Sequence, residues 1–219
     1  MGFNNRYGNT TCYFCCSIIN FYFTSGVIKM AFDFYTEKEQ KVIFEIKKWS
    51  EESLEDSKDN FNGLSACPKA KSAWKNDKVG FVFKTAPDYQ DLYTIVSCYP
   101  SNFDMVIVVD TCFNEDAKAF HKFISGFNEA IGTGMFINKD AWAVGFHPDD
   151  GKNALLKKSL FPTNTEQEYA LILVQPLSLL QETSDKIEPL GYYKGYEDEY
   201  NADAVLRSRK DLYRRLIGD

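Results

Sequence analysis

The chain has 219 residues, of which 44% are hydrophobic, 26% charged and 16% aromatic, and its formal net charge is −6. These values are typical of a globular domain and exclude an integral membrane protein, a coiled coil and a disordered chain. With 31 acidic against 25 basic residues and no basic patch, the sequence predicts neither a nucleic-acid nor a membrane partner.

The first 29 residues differ in composition from the rest of the chain. They contain no Asp or Glu, and their only charged side chains are those of Arg6 and Lys29. The stretch Gly26–Lys29 back-translates to a GGAG ribosome-binding element a short spacer before the codon of Met30. We therefore expect residues 1–29 to be upstream sequence of bacterial or phage type, or a disordered leader, with Met30 as the start of the functional chain.

The cysteines indicate a reducing compartment. After residue 29 the chain contains Cys67, Cys98 and Cys112, an odd number of widely spaced cysteines, which argues against a disulfide scaffold. We therefore expect a cytoplasmic protein. For the leader, a signal peptide with Cys12–Phe23 as its apolar core and a metal site on its cysteines stay open as alternatives.

Hydrophobic periodicity predicts several helices. The capping box Thr36–Glu39 predicts the start of a long amphipathic helix over 36–56. Pro68 is typical of a first helical residue, so we expect a short helix there with Cys67 as its N-cap. The pattern also predicts helices at Pro87–Ser97, at Glu115–Ile131 with Asn114 as N-cap, at Leu177–Ile187, and at Asp203–Leu216 with Arg207, Arg209, Arg214 and Arg215 on its exposed side.

Four short runs rich in Val, Ile and Phe predict strands of one sheet: Lys78–Lys84, Met105–Val109, Ala141–Phe146 and Ala170–Val174. Strands that alternate with helices predict an α/β fold with a central four-stranded, mixed or mostly parallel sheet and packed helices. Nearly continuous apolar strands are expected when both sheet faces are covered. A ferredoxin-like α/β sandwich, with helices on one face only, is the alternative. We expect residues 30–219 to form one domain, since no linker or repeat divides them.

Polar residues follow three of the predicted strands. Asp110 follows the second strand, His147 and Asp149 follow the third, and Gln175 follows the fourth. Ligands of open α/β sheets bind beyond the carboxyl ends of the strands, so parallel strands would bring these side chains to one rim. An antiparallel strand would separate them.

His147 is the more informative of the two histidines. It is either a general acid or base oriented by a carboxylate, or a metal ligand completed by Asp149, Asp150 or Asp110. The structural alternative is that residues 148–151 form a turn and His147 is a partly buried strand-end residue. We expect His121, beside the apolar stripe of its helix, to be structural.

Two further segments have a functional and a structural interpretation. A helix start at Cys67 would favour a reactive thiolate, whereas the absence of a second redox cysteine favours a capping or buried residue. The aromatic stretch Gly191–Tyr200 is either a lid over a site or a surface connection whose tyrosines cover core edges.

The order of these motifs resembles an uncharacterised, mainly bacterial family, the domain of unknown function fourteen-fifteen. Its Gly-Leu-x-x-Cys-Pro-x-Ala element corresponds to Gly63–Ala70, its Phe-His-Pro-Asp element to Phe146–Asp149, and its Leu-Leu-Arg-Glu-Ala-Ser helix to Leu179–Ser184. The family has a histidine near the position of Ser178. The resemblance implies no established activity, but it directs attention to the cysteine and the histidine of the first two elements.

Our leading hypothesis is a small soluble enzyme that acts on a small polar molecule at a site centred on His147, with Cys67, Asp110 and Asp149 as helpers. It requires the imidazole of His147 and the thiol of Cys67 to share a solvent-reachable hollow. The alternative is a non-catalytic binding or oligomer-forming module in which the turn after His147 is structural. The sequence identifies no cofactor and leaves metal binding open.

Overall fold

A computed structural model of the chain describes residues 35–56, 61–84, 86–135, 139–150, 168–196 and 202–218. The expectations for residues 1–29 and for Met30 lie outside these ranges, as does the aromatic stretch from residue 197 to residue 200. No helix in the described part of the chain combines the length and the apolar character needed to cross a bilayer.

The elements occur in the predicted order. Helix α1 (Glu37–Trp49) continues as a π-helical turn (Ser50–Glu55) and is followed by α2 (Ala70–Lys75), β1 (Val79–Lys84), α3 (Gln90–Ser97), β2 (Met105–Asp110) and α4 (Ala117–Gly132). Then come β3 (Trp142–Phe146), β4 (Ala170–Gln175), α5 (Leu177–Ile187), two 3-10 turns (Glu188–Leu190 and Tyr192–Tyr196) and α6 (Ala202–Ile217). The hydrophobic periods of the sequence therefore correspond to the real elements.

The four strands form one mixed sheet in the order β1-β2-β4-β3. β1 pairs with β2 in parallel, whereas β4 is antiparallel to both of its neighbours, β2 and β3. Strands β1, β2 and β3 consequently run in the same direction, and β4 runs against them. This confirms the expected α/β fold with a mixed sheet.

Helices cover both faces of the sheet. Ile107 and Leu171 point to a core shared with α1 and α2, and we call this side the α1 face. Val108 and Ile172 point to a core shared with α3 and α4, the α4 face, to which α5 and α6 also contribute. Because apolar residues of the strands point alternately to both cores, the strands are apolar along most of their length. The one-faced ferredoxin-like alternative is therefore wrong.

The helix ends test the capping predictions. The capping box of α1 is confirmed, since Thr36 Oγ1 accepts from the backbone N–H of Glu39 and the Glu39 carboxylate accepts from the backbone N–H of Thr36. The N-cap of α4 is Asp116 rather than Asn114, because the Asp116 side chain accepts from the backbone N–H of Ala119 at 2.8 Å.

The expected N-cap role of Cys67 is wrong. Helix α2 begins at Ala70, and its N-cap is Lys69. The backbone N–H of Ala70 donates to the Cys67 carbonyl at 3.1 Å, so a tight turn separates Cys67 from the helix. Burial raises the pKa of the Cys67 thiol, and this outweighs the lowering by the backbone N–H groups of Lys69 and Ala70, which hydrogen-bond to the sulfur.

The expected exposure of Arg209 is also wrong. Arg207, Arg214 and Arg215 are exposed, but Arg209 is buried with Leu212, one helical turn away on the same face of α6. The Arg209 guanidinium donates to side-chain oxygens of α5 and the second 3-10 turn, which belong to Gln181, Ser184 and Tyr193.

The described part of the aromatic stretch covers a core edge. The Tyr192 ring stacks on Phe61 with centroids 5.1 Å apart, and its hydroxyl donates to the Ala66 carbonyl. The Tyr193 hydroxyl shares a hydrogen bond with Ser184. Both tyrosines therefore attach the second 3-10 turn to its neighbours, as the surface-connection interpretation predicted.

Candidate functional site

His147 follows β3 and is buried on the α4 face of the sheet, with 1% of its surface exposed. Its ring meets Phe113 edge to face, with centroids 4.9 Å apart, and also contacts Phe120, with centroids 5.5 Å apart. Aromatic rings thus form much of its surroundings.

Both ring nitrogens of His147 form hydrogen bonds inside the protein. Nδ1 accepts from the backbone N–H of Asp149 at 3.1 Å, and Nε2 lies 3.0 Å from the Glu115 carbonyl oxygen. Because a carbonyl can only accept, this network assigns the ring proton to Nε2. Both imidazole nitrogens are therefore bonded inside the protein, and neither is directed at solvent.

The residues after His147 form the turn that the structural interpretation predicted. The Asp150 carboxylate accepts from the His147 backbone N–H at 2.7 Å, and the Asp150 N–H donates to the His147 carbonyl at 2.9 Å. The second Asp150 oxygen lies 2.6 Å from His121 Nε2, which connects the turn to α4. Asp149 points outward with 77% of its side chain exposed, and its carboxylate is 3.8 Å from His147 Nδ1.

Asp110 lies at the same rim of the sheet but in a buried ion pair. Its two carboxylate oxygens are 3.0 Å and 2.9 Å from Lys84 Nζ, and the two side chains are 0% and 2% exposed. Lys84 and Asp110 are register partners at the ends of β1 and β2. The Cys112 backbone N–H also donates to the carboxylate, and the ammonium lies 4.4 Å from the centre of the Tyr89 ring. The charges are thus compensated within the fold.

A chain of polar contacts joins this ion pair to His147. Tyr89, beside Lys84, approaches the Glu115 carboxylate with its hydroxyl at 3.5 Å, and the backbone carbonyl of Glu115 is the partner of His147 Nε2. Burial, the Glu115 carboxylate and then Asp110 raise the pKa of Tyr89, so its phenol stays protonated.

Sequence reasoning missed three members of this network: Lys84, Tyr89 and Glu115. One signal was present, because Lys84 ends one apolar run and Asp110 follows another. Opposite charges at the ends of neighbouring parallel strands predict an ion pair. Nothing local marks Tyr89 or Glu115, whose positions depend on how the loops after β1 and β2 fold.

Gln175 does not join this rim. Because β4 runs against β2 and β3, its first residue, Ala170, pairs with Asp110, and Gln175 lies at the opposite end of the sheet. The predicted common rim is therefore correct for Asp110 and His147 and wrong for Gln175.

Cys67 lies on the other side of the sheet from His147. It packs against the core of the α1 face, and its backbone N–H donates to the Leu54 carbonyl at 2.8 Å. Burial raises the pKa of the Cys67 thiol, so the thiolate expected from a helix start is disfavoured. The expectation of a shared hollow for the thiol and the imidazole is wrong.

The metal-ligand interpretation of His147 gains no geometric support. In the described ranges, no group of three or more His, Cys, Asp or Glu side chains is arranged to hold a metal ion. Asp110 is bound to Lys84, and Asp150 to His121 and the turn backbone. Two of the three carboxylates that would complete a metal site are thus used in other contacts, and the third, that of Asp149, points outward 3.8 Å from His147 Nδ1.

No family model matches this chain, and neither a curated protein nor a solved structure matches it significantly. The family resemblance therefore stays a prediction from motifs, and the function has to be argued from the geometry of the rim.

Proposed function

We propose that this chain is a non-catalytic binding or oligomer-forming module in which the turn after His147 is a structural element. The observation that carries the proposal is the state of the imidazole, which is 1% exposed and hydrogen-bonded through both nitrogens. A general acid or base has to come within hydrogen-bond reach of a substrate proton. A ring in this environment would first have to leave the core.

The other three candidate catalytic residues support the same proposal. The Cys67 thiol has a raised pKa and lies on the opposite face of the sheet, and Asp110 is neutralised by Lys84. Asp149 is accessible, but an exposed carboxylate beside a buried imidazole provides neither desolvation nor a second reacting group.

We place the module in the cytoplasm, on the basis of the odd number of widely spaced cysteines after residue 29. Its net charge of −6 favours a protein or a small polar ligand over nucleic acid as its partner.

The test is the stability of a His147→Asn variant, measured by urea unfolding. The shorter amide can replace Nδ1 as an acceptor, but it leaves the Glu115 carbonyl without its donor and a void beside Phe113 and Phe120. We expect the free energy of unfolding to fall by about 2–4 kcal/mol. The matched control is Asp149→Asn in the same turn, with an expected change of about 0.5 kcal/mol or less.

The enzyme hypothesis predicts a different pair of results. His147→Asn would then fold with wild-type stability and would lose the thermal stabilisation that a small polar ligand gives to the wild-type chain. A panel of such ligands, tested on the wild type and both variants, separates the two hypotheses. Ligand stabilisation that survives in Asp149→Asn and disappears in a fully stable His147→Asn would refute the structural role of His147, which is the observation that carries the proposal.

A further inference from the structure

Among the described strands, β3 lies at the edge of the sheet. Its sequence lacks the charged residues and prolines that commonly prevent an edge strand from pairing with another chain. Among the described strands β4 is its one partner, and its residues Trp142–Phe146 include no charge and no proline. An uncharged edge offers its outward N–H and C=O groups to any other extended strand. Proteins commonly prevent this with charged side chains, prolines, bulges or a covering element.

A side chain of α4 occupies this edge. Asn128 Nδ2 donates to the Ala143 carbonyl at 2.8 Å, and Asn128 Oδ1 accepts from the Ala143 N–H at 2.9 Å. These are the two hydrogen bonds that a neighbouring strand would make with Ala143. Ala143 is aligned with Val174 of β4 in the sheet register, but its backbone N–H and C=O groups bond to Asn128. These two groups therefore point away from β4, toward the edge of the sheet.

The close approach of α4 to β3 makes this contact feasible. A Cβ on Gly145 would lie 2.6 Å from the Phe120 ring and 2.9 Å from Ile124, so only glycine at this position allows the observed helix-to-strand distance. At this distance the short Asn128 side chain reaches the strand backbone, and it is buried there.

We propose that Asn128 caps the edge of β3 and thereby prevents antiparallel pairing between β3 and the β3 of a second copy of this chain. A second copy is the fitting occupant because a two-fold axis brings an identical, uncharged edge opposite the first, so that residue i of one copy pairs with residue j of the other and residue j with residue i. This inference concerns the sheet edge and is independent of the structural role proposed for His147.

The test removes the cap and then blocks the uncapped edge. We expect Asn128→Ala to add an association step in sedimentation velocity that the wild type lacks at the same concentration. Adding Ala143→Pro should reverse it, because proline removes the N–H that would donate to the second copy and that β4 does not use. Hydrogen exchange of the Ala143 amide in the wild type is an independent measurement, and we expect slow exchange although this amide faces the edge.

Each result bears on the proposal. Association of Asn128→Ala that Ala143→Pro reverses supports it, as does slow exchange of the Ala143 amide. A folded Asn128→Ala variant with wild-type sedimentation overturns it, and so does association that persists in the double variant. Should circular dichroism show that Asn128→Ala does not fold, the exchange rate of the Ala143 amide decides, and fast exchange overturns the proposal.

Discussion

The buried ion pair at the ends of β1 and β2 gives the sharpest energetic prediction. Lys84 Nζ bonds both oxygens of Asp110, at 3.0 Å and 2.9 Å, and water reaches 2% or less of either side chain. In Asp110→Asn the ammonium stays buried without a counter-charge. We expect the free energy of unfolding to fall by about 3–5 kcal/mol, a large fraction of the total stability of a typical domain.

Replacing both partners should cost far less. In Lys84→Met/Asp110→Leu no buried charge is left, and exchanges of this kind are commonly neutral or stabilising by about 1–4 kcal/mol. Lys84→Met alone should be destabilising, because it leaves the Asp110 carboxylate without its cation. The measurement is urea unfolding of the wild type, the two single variants and the double variant. These four proteins form a double-mutant cycle, and its coupling energy is the interaction energy between Lys84 and Asp110.

The residues just before the same two strands, Lys78 and Asp104, supply a matched control. Lys78 Nζ lies 3.2 Å from Asp104, just before β2, but the two side chains are 47% and 25% exposed. An exposed pair is worth about 0–1 kcal/mol, so Asp104→Asn should change stability little. If Asp110→Asn behaves like Asp104→Asn, the Lys84 pair is hydrated in solution and the argument from burial fails.

Three further predictions test single contacts. Iodoacetamide should modify Cys67 at least about tenfold more slowly in the folded protein than in urea, because burial raises its pKa; equal rates in peptide mapping would show a reactive thiol. Gly145→Ala should lower stability by about 1–3 kcal/mol in thermal melts, because the new methyl group would lie 2.6 Å from the Phe120 ring. Gly126→Ala, with open space around its Cβ, should be neutral or stabilising, and a similar loss in both variants would contradict the packing argument. Burial raises the pKa of Glu45, so the stability that its protonated form contributes is present at low pH and is lost as pH rises through the folded-state pKa. The wild type should therefore lose stability relative to Glu45→Gln as pH rises from 4 to 7. Unfolding curves of both proteins at the two pH values measure this difference, and a difference that does not grow with pH would contradict the raised pKa of Glu45.

The candidate site was only partly predictable. The strand ends marked Asp110 and His147, and the structure does place both at one rim. The opposite charges at the ends of β1 and β2 were a sequence signal for the ion pair of Lys84 and Asp110, although we missed it. The sequence could not reveal that a backbone carbonyl 32 positions before His147 engages its imidazole. Hydrogen bonds between residues so far apart depend on the relative placement of separate elements.

Local sequence determined which segments of this protein are helical and which are extended. The helical period of α4, the capping box of α1 and the apolar runs of the strands each act within a few residues, so they can be recognised without a partner. Tertiary structure decided the direction of β4, the side of the sheet on which each loop packs, and the burial of Arg209 and His147. These outcomes depend on which residues from distant parts of the chain satisfy a polar group or fill a space, and hydrophobic pattern carries no information about that choice.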